Sequence, residues 1–126
     1  MRSRVTDVLD RLPRVLLHVE GLVVATAAVV LYLWADFPWW LLVALALAPD
    51  LSMVAYLAGQ RVGAAVYDAA HTYAIPVVVA TAGVLGETDA VTQVGLIWLM
   101  HIGIDRALGY GLKYPSGFKD THLQRL

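Results

Sequence analysis

The chain lacks cysteine altogether and has few charged residues. Only 15% of its 126 residues are charged, whereas 60% are hydrophobic. The lack of cysteine excludes disulfides, thiolate metal sites and cysteine nucleophiles. No serine stands in a G-x-S-x-G nucleophile elbow, which argues against a serine hydrolase. Neither G-x-x-x-x-G-K-[ST] nor G-x-G-x-x-G after a strand occurs, so no phosphate-binding loop is expected.

Four long apolar runs make up most of the chain. They span about residues 15–34, 38–58, 64–85 and 90–108. Each is close to the ~20 residues that an α-helix, rising 1.5 Å per residue, needs to cross ~30 Å of hydrocarbon. So short a chain cannot bury four such helices in a soluble fold. The sequence therefore predicts an all-α polytopic membrane protein, a single domain built as a four-helix transmembrane bundle.

Lysine and arginine are missing from two of the three connections between these runs. The connections around Asp36 and at residues 86–89 carry only acidic charges. Because cytoplasmic segments hold the excess of basic residues, both termini are expected in the cytoplasm. We expect the plasma (inner) membrane as the location and membrane lipid as a partner, with homo-oligomerisation left open and no role for nucleic acid. The basic residues are Arg2, Arg4, Arg11, Arg14, Arg61, Arg106, Lys113, Lys119 and Arg125.

Both ends of the chain are predicted to lie along the cytoplasmic surface. Residues 1–14 place apolar side chains at helical spacing between charges, which predicts a short amphipathic helix that Pro13 ends. The tyrosines and glycines of residues 109–123 predict an ordered C-terminal segment folded over the cytoplasmic mouth of the bundle. At the opposite interface, an aromatic belt is predicted from Trp34, Phe37, Trp39 and Trp40.

Ionisable residues inside the predicted helices gather near the cytoplasmic side. At 1.5 Å per residue they lie very roughly 5 to 12 Å below the boundary. A charged side chain at that depth costs perhaps ~2 to 3 kcal/mol, so these groups should face one another rather than lipid. His101 and Asp105 are four residues apart and share one helix face. The set comprises Glu20, Asp50, His71, His101 and Asp105.

This set predicts a metal site. Carboxylates and imidazoles from four helices are similar to the sites of ferritin-like bundles, although the order of His101 and Asp105 is reversed. We expect Glu20, Asp50, His71, His101 and Asp105 as ligands of a divalent ion, with Fe, Mn or Zn suited to such donors. The catalytic candidates are Glu20, Asp50, His101 and Asp105; a metal-free version uses a histidine as general base. The candidates for holding the ligands or a cofactor are Tyr67, Arg106, Tyr110, Lys113 and His122.

Several of these residues also have purely structural interpretations. Glu20 can pair with a nearby arginine at the boundary. Asp50 follows Pro49 and can cap a helix that resumes after a kink. Asp68 lies closest to water and is expected to be exposed, and His18 is expected to point toward the lipid headgroups.

The chain resembles a known family over nearly its whole length. The motifs are Ala48-Pro49-Asp50-Leu51-Ser52-Met53, then His71-Thr72-Tyr73, then His101-Ile102-Gly103-Ile104-Asp105-Arg106 leading into GYGLKYPSGFKDTHL. They resemble the small prokaryotic membrane proteins of Domain of Unknown Function 4260. The resemblance implies four membrane spans and no assigned reaction. Members often carry asparagine at the position of Asp68, which implies that a carboxylate there is not essential.

Three functions therefore stay open from the sequence. The first is a metal-dependent membrane enzyme acting on a lipid or another amphiphile. The second is a proton relay or small-solute transporter, since intramembrane Asp and His are relay residues, although the outer half of each helix is apolar. The third is a non-catalytic accessory subunit whose polar layer locks the helices together.

Overall fold

The computed structural model describes residues 3–113 and 121–123 of the chain. In this part the chain is helical, apart from an isolated bridge between Lys113 and Thr121. The prediction of an all-α fold is confirmed. Arg2, Lys119 and Arg125, named above for their charge, lie outside the described residues. The elements are α1 (Arg4–Trp34), α2 (Trp39–Ala44), a 3₁₀ helix (Ala48–Ala58), α3 (Gln60–His71), α4 (Ala74–Leu85) and α5 (Asp89–Leu108).

Three helical stretches are long and apolar enough to cross a membrane. They are Arg4–Trp34, Trp39–Ala58 and Gln60–Leu85, and they correspond to the first three predicted runs. The fourth run forms α5, which is more polar because it contains Gln93, His101, Asp105 and Arg106. Of the described helices, α5 carries the most buried residues. Helix α5 is therefore the central helix of the structure, although it is more polar than the three apolar stretches.

Helix α1 is one continuous helix, so the prediction that Pro13 ends a separate amphipathic helix is wrong. The Ser3 hydroxyl accepts a hydrogen bond from the Thr6 N–H and caps the helix start. Pro13 lies inside the helix and cannot donate to the Leu9 carbonyl. Both residues are exposed, so water or headgroups can solvate that carbonyl and the helix continues.

Small residues bring α5 close to its two main neighbours, α1 and α4. A Cβ atom added at Gly103 would lie 2.6 Å from the Ala25 nitrogen and 2.7 Å from the Gly21 oxygen. On the other side, a Cβ at Gly95 would lie 2.5 Å from the Ala80 nitrogen. Such close backbone approach is typical of helix contacts within membranes, where packing rather than water exclusion holds helices together.

The second and third predicted spans are each broken near the middle; the first of these breaks lies at the kink expected near Pro49, whereas the second was not predicted. Proline clashes with the carbonyl four residues earlier and has no N–H to donate. Pro49 follows the end of α2, and the chain resumes as the 3₁₀ helix. Pro76 lies in the first turn of α4, and the backbone at Thr72 is extended between α3 and α4. The breaks leave backbone carbonyls free to bind side chains.

The end of the bundle near Phe37 is apolar. Ala28 and Tyr32 of α1 pack with Leu96, Ile97 and Met100 of α5. Phe37 packs against this cluster and meets the Tyr32 ring edge to face. Phe37 is therefore partly core, whereas the other residues of the predicted aromatic belt are exposed: Trp34, Trp39 and Trp40.

Candidate metal centre

Four of the five predicted ligands converge on one point. They are Asp50 at the start of the 3₁₀ helix, His71 at the end of α3, and His101 and Asp105 on successive turns of α5. One donor atom from each lies within 4.8 Å of the other three. The two histidines are buried, and the carboxylate side chains are 32% exposed at Asp50 and 17% at Asp105. The group therefore lies mostly inside the protein, and its carboxylates are the more exposed members.

The spacing of these donors suits a single small cation. The two Nε2 atoms are 3.2 Å apart, and Asp50 Oδ1 lies 3.1 Å from that of His71 and 3.0 Å from that of His101. Asp105 Oδ2 is 3.5 Å and 3.1 Å from the same two nitrogens. Four ligands at bond lengths of about 2.0–2.1 Å around a tetrahedral ion would lie about 3.3 Å apart. The five distances therefore bracket the separation that one such ion requires.

Backbone carbonyls fix the orientation of both imidazoles. His71 Nδ1 lies 2.8 Å from the Tyr67 oxygen, and His101 Nδ1 lies 2.6 Å from the Ala46 oxygen. A carbonyl can only accept, so each Nδ1 carries the hydrogen and each neutral ring turns its Nε2 lone pair toward the group. A histidine that ligates a metal commonly donates its other N–H to a carbonyl in this way.

With both imidazoles neutral, the centre of the group holds acceptors only. Two carboxylates and two Nε2 lone pairs then face one another, and the four side chains supply no N–H or O–H between them. Such an arrangement is costly in a buried site unless a positive charge enters it. A proton shared by the imidazoles or a bound metal ion meets this need. The donor chemistry therefore fits a divalent cation, whose charge the two carboxylates would balance.

The broken helices supply the carbonyl that holds the His101 imidazole and two carbonyls that bind other side chains of α5. In an α-helix the Ala46 carbonyl would accept from the Asp50 N–H; here the Asp50 N–H donates to Leu47 instead. Ala46 is thereby free to accept from His101. At the end of α3, the Ala70 carbonyl accepts from the Trp98 indole, and the His71 carbonyl accepts from Arg106. The two breaks thus help to bring the 3₁₀ helix, α3 and α5 together at the candidate metal centre.

Two residues predicted to support the ligands do contact them. The Tyr67 ring stacks on the His71 imidazole at 3.7 Å between centroids, nearly parallel. Arg106 is buried and donates to the His71 carbonyl at 3.0 Å. Its guanidinium also lies 5.4 Å from the centroid of the Tyr73 ring. Both residues therefore hold His71 in place.

The described part of the C-terminal segment contacts α3 beside the group. Lys113 is buried with its Nζ 4.6 Å from the Tyr67 ring centroid, and its N–H donates to Asp68 at 2.6 Å. Burial lowers the pKa of the Lys113 ammonium. Tyr110 has an exposed ring, and its N–H donates to the Asp105 carbonyl. Lys113 thus packs against Tyr67 beside the site, and Tyr110 binds the backbone of Asp105.

His122 links the C-terminal segment to Arg106. Its Nδ1 accepts from the Leu112 N–H at 2.8 Å, and its Nε2 lies 2.9 Å from Arg106 Nη1. Burial, and then the charge of Arg106, lower the pKa of the His122 imidazole. The ring is therefore held in its neutral form against a buried cation.

The remaining predicted ligand stays apart. Glu20 is exposed on α1 and lies outside the four-residue group. The expectations for two neighbours are also corrected: Asp68 is half buried and accepts from the Lys113 N–H, and His18 Nδ1 donates to the Ala107 carbonyl. Sequence reasoning missed the carbonyl of Ala46, although Pro49 signalled that the helix there would lose hydrogen bonds.

Comparison with known proteins places the chain in a family. Residues 14–126 match the family model described as Domain of unknown function (DUF4260). A search of curated proteins finds no match, and neither does a search of solved structures. The family match covers nearly the whole chain and includes all four residues of the candidate metal centre. The chain therefore belongs to the Domain of unknown function 4260 family.

Proposed function

We propose that the protein is a membrane-embedded, metal-dependent enzyme that acts on a lipid or another amphiphile. The observation that carries the proposal is the convergence of two carboxylates and two imidazoles, from Asp50, His71, His101 and Asp105, with one ligand atom of each within 4.8 Å of the others. Carbonyls hold both Nδ1 atoms, so both Nε2 atoms face the centre. A divalent ion there would be neutralised by the two carboxylates and bound by the two imidazoles. Fe, Mn and Zn all suit this mixed set.

The number of protein donors bears on the chemistry. Four protein ligands complete a tetrahedral zinc site, which is typical of structural zinc, whereas catalytic sites keep a position open. An ion that takes five or six ligands, as Fe and Mn do, would leave one or two positions for water or substrate. The partly exposed side chain of Asp50 marks the side from which these could enter. The four-donor set therefore favours Fe or Mn if the site is catalytic.

The placement of the site supports a lipid or amphiphile as substrate. We infer four membrane crossings, with α5 as the fourth and both termini at the cytoplasmic face of the plasma membrane. Close contacts pair Gly21 with Arg106 and Ala25 with Gly103, so α5 runs antiparallel to α1. Contacts of Ala80 with Gly95 and of Gly83 with Thr92 show that α5 also runs antiparallel to α4. This arrangement puts the start of α1 and the end of α5 on one side, where most of the basic residues lie.

A proton relay is the second candidate, because one proton can also occupy the space between His71 and His101, 3.2 Å apart. A relay needs a polar path through the bundle. The apolar cluster around Tyr32 and Ile97 lies between the site and the opposite face. This cluster favours the metal enzyme over the relay; an accessory role is the outcome if neither metal nor proton transfer is found.

Elemental analysis of the purified protein tests the proposal. Wild type, His71→Ala and His101→Ala are extracted without added metal or chelator and checked for folding by size exclusion and circular dichroism. His18→Ala is the matched control, since His18 binds a carbonyl elsewhere. We expect close to one equivalent of metal in wild type and His18→Ala, and less than a tenth of that in the other two. A wild type that takes up no Fe, Mn or Zn even after reconstitution would overturn the proposal.

A further inference from the structure

An apolar groove lies between α1 and α4, at the end of the bundle near Phe37. Both helices pack on α5, whose Leu96 and Leu99 form part of the floor of the groove. The volume is about 650 Å³, within the range of about 300–1,000 Å³ in which ligand pockets fall. None of the four residues of the candidate metal centre lines it. The groove is therefore a separate recess with room for part of a lipid.

Small residues on α4 give the groove its shape. A Cβ atom added at Gly83 would lie 2.4 Å from the Thr92 nitrogen, and one added at Gly95 would lie 2.7 Å from the Ala80 Cβ. These close contacts hold α4 against α5, and side chains as short as that of Ala80 do not fill the space between α4 and α1. On the opposite wall, the Leu31 side chain of α1 is exposed. An apolar surface of this kind suits a hydrocarbon chain.

Acidic side chains line one end of the groove, here called its mouth. Glu87 and Asp89 line the groove there, and both are exposed. Asp36 lies between the lining residues Ala35 and Phe37. The sequence has no lysine or arginine at residues 15–60 or 62–105, so the connections at this end supply no basic side chain. The mouth therefore has a negative potential that attracts a cationic group.

Trp34 adds a hydrogen-bond donor to the wall of the groove. Its indole lines the groove and is 81% exposed. An indole N–H can only donate, so it suits a phosphate oxygen. Tryptophan is also enriched at the level of the lipid headgroups, where the last turn of a membrane-crossing α1 would lie. The groove therefore combines an apolar wall with acceptors for a cation and a donor for an anion.

A second copy of the chain does not match this groove. With the topology proposed above, copies in one membrane share their orientation, so the same acidic ends would meet at the same depth. Because this end of the sequence has no lysine or arginine, negative charges would face one another. An anionic phospholipid would meet the same repulsion. A lipid with acyl chains and a primary ammonium group matches both the wall and the mouth.

We propose that the groove binds phosphatidylethanolamine, with an acyl chain along α5, the ammonium group at Glu87 and Asp89, and a phosphate oxygen accepting from the Trp34 indole. A primary ammonium has three N–H donors, and carboxylates accept charge-assisted hydrogen bonds from them. The inference goes beyond the proposed enzyme, because this lipid is held away from the four metal donors. Phosphatidylglycerol carries the same chains and phosphate without a cation, so comparing the two lipids isolates the ammonium group.

The headgroup preference of the purified protein tests the inference. Delipidated protein in detergent is mixed with equal amounts of phosphatidylethanolamine and phosphatidylglycerol that carry identical acyl chains, and the bound lipids are distinguished by native mass spectrometry. Because exposed charge pairs are individually weak, we expect wild type to prefer phosphatidylethanolamine about fivefold to tenfold. Glu87→Gln combined with Asp89→Asn should bring the ratio to about one. The matched control, Asp7→Asn combined with Asp10→Asn, removes two exposed carboxylates near the start of α1 and should keep the preference.

A second pair of variants tests the groove itself. Thr81 is an exposed lining residue, so Thr81→Trp fills the groove from the α4 wall and should weaken binding of both lipids about tenfold. Val78→Trp places the same bulk on an exposed position of α4 outside the groove and should leave binding unchanged.

Several results would overturn the inference. Equal binding of the two lipids by wild type, or a preference that survives Glu87→Gln with Asp89→Asn, would show that the carboxylates do not recognise an ammonium group. Unchanged binding by Thr81→Trp would show that the lipid lies elsewhere. A dimer that excludes lipid, and that Thr81→Trp dissociates, would assign the groove to a second copy. The charge variants alter exposed side chains only, so their result stands even if Thr81→Trp does not fold. None of these outcomes depends on bound metal, so they leave the proposed enzyme to its own test.

Discussion

Replacing Asp105 by asparagine should have opposite effects with and without metal. The carboxylate Oδ2 lies 3.1 Å from His101 Nε2 and 3.5 Å from His71 Nε2, both of which present lone pairs when neutral. An asparagine amide in this position can donate to them and carries no charge. Asp105→Asn should therefore stabilise the metal-free protein. The same change removes a ligand and half of the negative charge, so it should remove the stabilisation that metal gives.

The size of each effect follows from the geometry. The two carboxylates are at most 4.8 Å apart. At an effective dielectric constant of about 20, two like charges at that distance repel by about 3.5 kcal/mol. Solvent near the 32% exposed Asp50 weakens this repulsion, so we expect a gain of about 1–2 kcal/mol in the free energy of unfolding without metal. Metal at about 100 times its dissociation constant should stabilise wild type by about 2.7 kcal/mol.

The assay is thermal unfolding of purified protein in detergent. It is run at a pH high enough to keep both imidazoles neutral, once with chelator and once with Fe, Mn or Zn. We expect Asp105→Asn to melt above wild type in chelator and below it in metal. If the variant melts below wild type by the same amount in both conditions, the carboxylate serves the fold alone. That result would refute the reasoning that the group is short of a cation.

Three further predictions concern packing, pH and topology. Gly103→Ala should lower the free energy of unfolding, measured by chemical denaturation, by about 1–3 kcal/mol, because its Cβ would meet the backbone of α1. Gly86→Ala is the control and should change stability little; equal effects of the two variants would contradict the close packing. The pKa of His122 in the folded protein lies below its unfolded value near 6.5. The stability that the neutral imidazole gives the folded state is therefore present above about pH 6.5 and lost as the pH falls through the folded pKa. His122→Asn should flatten that acid loss of melting temperature, and an unchanged slope would contradict it. Reporter fusions at Gly86 and after Leu126 should report opposite sides of the membrane, and the same side for both would end the four-span topology.

Much of the candidate site was predictable because helical geometry and topology act together. A rise of 1.5 Å per residue places His101 and Asp105 about 6 Å apart along one face of the helix. The one-sided distribution of basic residues then sets which helix ends meet. Since carboxylates avoid lipid, Asp50 and His71 were expected to join them, and the structure brings these four together.

Other parts were not predictable, because they depend on how hydrogen bonds are redistributed. A proline shows that a helix loses a bond, but not which group takes the freed carbonyl. Pro13 leaves α1 continuous since its surroundings are exposed, whereas Pro49 and Pro76 break their helices inside the bundle. Glu20 lies outside the group because it is on an exposed face of α1. The spacing of residues alone does not show which face of that helix points into the bundle.

The breaks and the metal centre explain each other. Free carbonyls within a membrane are unfavourable unless protein groups bind them, so broken helices persist there only where side chains supply donors. Here His101 binds Ala46, Trp98 binds Ala70, and Arg106 binds His71. Because His101 satisfies a break with its Nδ1–H, its Nε2 atom faces inward. The hydrogen bonds that satisfy the broken helices therefore also orient the donors of the candidate metal centre. A cation that binds there would stabilise the broken helices as well.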